Sequence, residues 1–136
     1  MIQNKANVDT TDIDGKTPLY KASQRGIKEV VQILIQNNAN IENPTKKGHK
    51  SLCVACNGAH LEIVEILVQN KANIETLIEG DTALNCACLN GHLEVVDTLI
   101  QSKVNIETPN YNGWTPLMSA CYQGHLEIVN ILIKNK

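Results

Sequence analysis

Phenylalanine is absent from the chain, and aromatic residues as a whole are scarce: one tryptophan and three tyrosines among 136 residues. Any core it builds must therefore be aliphatic. A basic excess is missing too, since twelve Lys and Arg against fourteen Asp and Glu give a formal charge of −2. Nucleic-acid binders normally carry a basic excess on at least one face, so that class of partner is not expected. No apolar run approaches the length of a membrane span, and Met1 opens a polar segment without a signal-peptide pattern. These absences read as an intracellular, cytoplasmic protein with no membrane partner. Five cysteines, an odd number, without a glycosylation sequon fit a reducing compartment better than a disulfide framework.

What the chain does have is repetition. Leu19, Leu52, Leu84 and Leu117 answer to one another, as do Val31, Val64, Val96 and Val129, at spacings of 33, 32 and 33 residues. A fixed period in this range, with two short helical patterns per copy, signals a solenoid. The length suits a single domain, residues 1–136. Its units are 12–44, 45–76, 77–109 and an incomplete 110–136, and residues 1–11 match the end of a preceding unit. In that match Ile2 to Thr10 align with Val68 to Thr76. Starting and stopping inside a unit, with interior-type apolar faces at both ends, leads us to expect a piece of a longer array.

Local chemistry marks the helices. Thr17 before Pro18 and Thr115 before Pro116 place a capping hydroxyl ahead of a proline at the first helical position. Short helices are predicted from Pro18 to Arg25, Ser51 to Gly58, Ala83 to Asn90 and Pro116 to Gln123, broken by Gly26, Gly91 and Gly124. The second unit has Ala59 at that breaker position and Gly58 one place early, so its turn is expected to shift. Second helices start near Lys28, Leu61, Leu93 and Leu126, with Glu29, Glu62, Glu94 and Glu127 in their first turns to complement the positive helix end. Asn38, Lys71 and Lys103 stand where these helices should end in a left-handed residue. The one-residue deletion in the third unit falls between Thr76 and Gly80, where a loop absorbs it most easily.

Gly15-Lys16-Thr17-Pro18-Leu19, Gly113-Trp114-Thr115-Pro116-Leu117, Gly91-His92-Leu93-Glu94 and Gly124-His125-Leu126-Glu127 carry a family resemblance that covers the whole chain. In pattern and period it resembles the ankyrin repeat. Departures are Lys50-Ser51 in place of Thr-Pro, Ala83 in place of Pro, and Tyr20, Cys53, Asn85 and Met118 where the family often has His. The resemblance implies an all-α solenoid of stacked antiparallel helix pairs with projecting hairpin-like fingers. It also implies that fingers and first helices line a concave surface that binds other proteins. Ala22, Ala55, Ala87 and Ala120 are small where the first helices should pack closely.

No enzymatic constellation emerges, and neither a catalytic residue, a cofactor nor a metal site is expected. Cys53-x-x-Cys56 resembles half of a redox or zinc motif. However, Cys56, Cys88 and Cys121 share one repeat position, and stacked helices lie about 8 to 10 Å apart, too far for disulfides between equivalents. Small buried thiols are the expectation for all three. His60, His92 and His125 likewise share one position, which separates them, and suit hydrogen bonding at the turn and helix start. Gly15-Lys16-Thr17 lacks the upstream glycine of a phosphate loop, and Asp12-x-Asp14-Gly15 lacks the Glu of a calcium loop.

Residues that differ between units are free to recognise. On the fingers and the exposed ends of the first helices these include Lys46, Lys47 and His49 in the second unit, and Glu79, Asp81, Leu89 and Asn90 in the third. The fourth has Tyr111, Asn112, Trp114, Tyr122 and Gln123. Three of the four aromatics thus gather in one unit as candidate anchors for a protein or peptide partner. The expected function is a monomeric, non-enzymatic protein-interaction scaffold. The alternative is a targeting or regulatory module of a larger enzyme or channel.

Overall fold

The structure is a computed structural model describing residues 4–75 and 77–135, the Ile78 side chain excepted. The parts of the repeat alignment that fall on Ile2, Gln3, Thr76 and Lys136 lie outside the described residues. Four helix pairs follow one another: α1 Pro18–Arg25 with α2 Lys28–Gln36, α3 Ser51–Asn57 with α4 Leu61–Gln69, α5 Ala83–Asn90 with α6 Leu93–Gln101, and α7 Pro116–Gln123 with α8 Leu126–Lys134. First helices stack α1 on α3 on α5 on α7, and second helices form a parallel row, α2 on α4 on α6 on α8. Each unit buries its apolar stripe against its neighbours, which is how a solenoid builds one continuous core from units too small to have their own.

Helix starts follow the capping chemistry. The hydroxyls of Thr17, Thr82 and Thr115 accept the backbone N–H of Tyr20, Asn85 and Met118 at 3.1, 2.9 and 3.4 Å. Lys50, at the same position, cannot cap α3 and instead reaches Glu42 at 3.0 Å. A missing cap of this kind costs about 1 kcal/mol.

Helix ends hold one correction. Ala59 takes the left-handed conformation itself, at φ +57°, so the turn is not displaced. Helix α3 stops at Asn57, one residue earlier than anticipated, and α4 still begins at Leu61. Stacking explains this: His60 must reach back to the first unit, and that fixes the path of the chain. Asn38, Lys71 and Lys103 are left-handed as expected, each at φ +66°.

The core is aliphatic and laid out by repeat position. Ala22, Ala55, Ala87 and Ala120 are buried between first helices, and Val31, Val64 and Val96 between the two rows. Other apolar positions lose cover in the end units. Ile33 is 57% exposed on the first pair, while Leu117, read from the sequence as a core residue, is 37% exposed on the last. Cys121 is also exposed, unlike its equivalents Cys56 and Cys88, because among the described residues no unit packs over it.

Fingers precede each first helix. In units one, two and four, Asp12, Thr45 and Asn110 donate their N–H to Lys16, His49 and Trp114 across three-residue loops that close on left-handed Gly15, Gly48 and Gly113. The shorter third unit makes a two-stranded antiparallel hairpin, β1 Leu77–Ile78 with β2 Asp81–Thr82. Its two-residue turn puts both Glu79 (φ +49°) and Gly80 (φ +82°) in the left-handed region, as a tight hairpin demands. The missing residue is absorbed here.

Backbone groups tie unit to unit. Lys46 N–H donates to Asp14 O at 2.9 Å and Tyr111 N–H to Gly80 O at 2.7 Å, joining fingers. Carboxylates of Asp9, Glu42 and Glu75 accept the N–H of Asn40, Asn73 and Asn105 one unit further on, at 2.9, 2.7 and 2.6 Å.

Candidate functional site

Fingers and first helices meet in a groove of about 500 Å³ to which every unit contributes. Tyr20 and Gln24 come from α1, and Cys53, Val54 and Asn57 from α3. Cys86 comes from α5, and His49, Glu79, Asp81 and Tyr111 from the fingers. Stacking places them together, because the stacked first helices bring equivalent positions side by side and the joined fingers wall one edge.

Four residues singled out by sequence line this groove: His49, Glu79, Asp81 and Tyr111. Tyr111 is 72% exposed and its Cβ lies over Gly80, where a glycine is needed both for the turn and for the close approach. His49 Nε2 stands 3.2 Å from Glu79 Oε1, linking neighbouring fingers. The others lie outside it. Lys46 and Lys47 are exposed on the second finger, and Asn112 and Gln123 are exposed on the fourth unit. Asn90 is exposed but donates to Asn57 Oδ1 at 3.0 Å and to Cys86 O at 2.8 Å. Leu89 is half-buried, and its carbonyl is a partner of His125.

Trp114 is half-buried, not a free anchor. Its ring packs on Tyr122 at 5.1 Å between centroids, tilted by 58°, and its carbonyl accepts the Asn85 side-chain amide at 3.0 Å. Tyr122 remains 73% exposed. A tilted pair at this distance is a favourable aromatic arrangement that fixes both rings.

Electrostatics in the groove centre on Asp81. Burial pushes its carboxyl above the ordinary carboxylate value, and the amides of Asn85 and Asn110 only partly offset this. Its Oδ1 is buried with no hydrogen-bond partner among the described residues. Burial likewise raises the Cys53 thiol to about 12 and the Cys86 thiol to about 11. Thiols so protonated are poor nucleophiles at neutral pH. No group of three His, Cys, Asp or Glu among the described residues is arranged to hold a metal.

The histidines do more than sequence suggested. His60, His92 and His125 each contact a backbone carbonyl of the preceding unit, at Gln24, Asn57 and Leu89, at 3.1, 2.9 and 3.2 Å. Their rings thus brace successive units, while their backbone N–H groups close their own turns on the carbonyls of Ala55, Ala87 and Ala120 as expected. Sequence reading also passed over Tyr20, Cys53, Val54 and Cys86 as groove residues. Variation between units was the available signal: position 20 reads Tyr, Cys, Asn, Met through the four units, and position 21 reads Lys, Val, Cys, Ser.

Stacked helix pairs, joined fingers and a groove fed by every unit define a helical-repeat solenoid. The family model described as "Ankyrin repeats (3 copies)" matches residues 1–78 and 72–136, together the whole chain, and the protein belongs to the ankyrin-repeat family. Ankyrin repeats generally mediate protein–protein interaction. No curated protein matches the chain significantly. Among the described residues, no helix is long and apolar enough to cross a membrane.

Proposed function

We propose that this chain is a non-enzymatic interaction scaffold that binds a protein or extended peptide in the groove between fingers and first helices. It acts as a monomer in the cytoplasm. One observation carries the reading: a groove of about 500 Å³ built from all four units, with an exposed tyrosine on its wall. The exposed face of Tyr122, held by Trp114, extends the same surface along the last first helix. Most hydrogen bonds that hold the units together use backbone groups and repeated side chains, and apart from Asn85, Asn90 and the His49–Glu79 pair the differing side chains are free to face a partner.

Photo-crosslinking from position 111, with mass spectrometry of captured proteins, identifies the partner, and titration then measures its affinity. Tyr111→Ala and Tyr122→Ala are expected to weaken binding by about 1 to 3 kcal/mol each, with helical content unchanged. Unaltered affinity in both variants would remove the groove from the proposal.

A further inference from the structure

Glycine follows asparagine at three places in the chain, Asn57-Gly58, Asn90-Gly91 and Asn112-Gly113. Such a step is chemically reactive, because a following residue without a Cβ leaves the asparagine side-chain carbon open to attack by the next backbone nitrogen. The first two steps are held in place. Asn57 and Asn90 are the last residues of α3 and α5, and Asn90 Nδ2 donates to Asn57 Oδ1 at 3.0 Å and to Cys86 O at 2.8 Å. The nitrogens that would attack are engaged at helix ends, Gly58 N–H with Val54 O at 3.1 Å and Gly91 N–H with Ala87 O.

Asn112 differs on each count. It stands in the fourth finger, between α6 and α7, with an exposed side chain that makes no hydrogen bond among the described residues. Gly113 is exposed as well, and a Cβ built on it would meet nothing within 4 Å, so no neighbouring group obstructs a rearrangement of the turn. The Gly113 N–H does donate to Asn110 O, at 2.9 Å, but this bond closes a surface loop. Exposed loop bonds open at far lower free energy than bonds in packed helices.

We infer that Asn112 is a site of spontaneous deamidation, and the preferred one of the three in the folded protein. The Gly113 nitrogen gives its proton to solvent base and bonds to Asn112 Cγ. The Cγ–Nδ2 bond breaks, ammonia leaves with one proton, and a five-membered succinimide closes. Water then opens the ring at either carbonyl, leaving aspartate or isoaspartate. In sum one water is consumed and one ammonia released, without oxidant or enzyme. Both products put a negative charge on the fourth finger. Isoaspartate also adds an atom to the main chain between residues 112 and 113, which displaces the Gly113 N–H from Asn110 O and the Trp114 N–H from Asn110 Oδ1. Tyr111, on the groove wall, belongs to the same turn.

The test holds the full chain at physiological temperature and mildly alkaline pH and maps its peptides by mass spectrometry at intervals. Conversion at Asn112 is expected on the order of tenfold faster than at Asn57 or Asn90, as the lower cost of opening a surface turn requires. In urea the three should react at rates within about twofold, because the fold no longer separates identical steps. Gly113→Ala should slow the reaction, and in aged wild type the amides of residues 112–114 should move by NMR while those of α3 and α5 stay. Equal rates at the three steps in the folded protein, earlier conversion at Asn57 or Asn90, or an Asn112 that stays intact while unfolded chain reacts would each overturn the inference. Any effect on a partner rests on the groove reading, but the chemistry does not: unaltered affinity in Tyr111→Ala and Tyr122→Ala would remove the groove and leave Asn112 as the reactive site.

Discussion

Asn85 offers the most demanding check on how the stack is held. It is 1% exposed, its Oδ1 accepts the Ser119 hydroxyl at 2.9 Å, and its Nδ2 donates to Trp114 O at 3.0 Å. Both partners belong to the next unit. Asn85→Ala removes two neutral hydrogen bonds to the next unit, each worth about 1 kcal/mol net, together with the amide that lowers the Asp81 carboxyl. Trp114 O is not orphaned, because it keeps the Asn110 N–H at 2.8 Å, and the Ser119 hydroxyl can turn to the carbonyl one helical turn back. Those rescues exclude the larger penalty for unsatisfied groups. The vacated amide volume adds about 1 kcal/mol as a cavity between tightly stacked helices. The sum is about 3 kcal/mol, read by urea denaturation followed by circular dichroism, with an unchanged slope. In a double-mutant cycle with Ser119→Ala, the coupling should be about 1 kcal/mol, one bond. A loss under about 0.5 kcal/mol, or additivity of the two changes within about 0.3 kcal/mol, would show that the bridge contributes nothing.

Gly91 and Gly124 share a left-handed φ of 75° and 74°, but a Cβ on Gly91 would come within 2.6 Å of the His125 ring, whereas Gly124 has nothing within 4 Å. Gly124→Ala should therefore cost about 1 kcal/mol for conformation alone, and Gly91→Ala clearly more, with the excess relieved by His125→Ala; equal costs would refute the contact. Ser23 is fully buried and its hydroxyl has no partner among the described residues, while the equivalent positions carry Cys, a weak donor that tolerates burial. Ser23→Cys should stabilise by about 1 kcal/mol in the same urea assay, and destabilisation would point to a bond that the fold description lacks. The raised Asp81 carboxyl favours folding when protonated, so its contribution is present below the ordinary carboxylate value and lost as pH rises through the raised one. Asp81→Asn should accordingly gain on the wild type between acid and neutral pH, and a gap that stays constant with pH would reject the burial argument.

Much of the fold was legible because its signals are local. Thr17-Pro18 and Thr115-Pro116 mark helix starts by hydroxyl and ring chemistry, and the left-handed ends at Asn38, Lys71 and Lys103 followed from their place in the period. What escaped depends on the offset between units, which a period does not reveal. The Asn-x-acid triplets Asn7-Val8-Asp9, Asn40-Ile41-Glu42 and Asn73-Ile74-Glu75 are plain in the chain, yet their ladder appears only when one unit's carboxylate meets the next unit's N–H. The reach of the His60, His92 and His125 rings to the preceding unit escaped for the same reason. Cys121 shows a further limit, because equal repeat position gives equal burial only where both neighbours are present. Of the candidate surface, differences between units located His49, Glu79, Asp81 and Tyr111 in the groove but could not separate them from Asn90 or Trp114, whose differing side chains serve contacts between units or packing.

The division between folding and recognising residues is therefore sharp at most positions and breaks at a few. Histidine-to-carbonyl braces, acid-to-amide rungs and the Lys46–Asp14 and Tyr111–Gly80 finger bonds all engage the backbone of a neighbour, so they hold whatever side chains the groove presents. Asn85 and Asp81 are exceptions that lie close together in the third unit, where β2 contacts α5. Asn85 bonds the next unit, and Asp81 is half-buried with the amides of Asn85 and Asn110 only partly offsetting its burial. A carboxylate kept there at neutral pH weakens the free protein and strengthens whatever cationic group can reach it. At neutral pH stability should thus rise on Asp81→Asn and fall on Asn85→Ala, although the two side chains are neighbours in one unit.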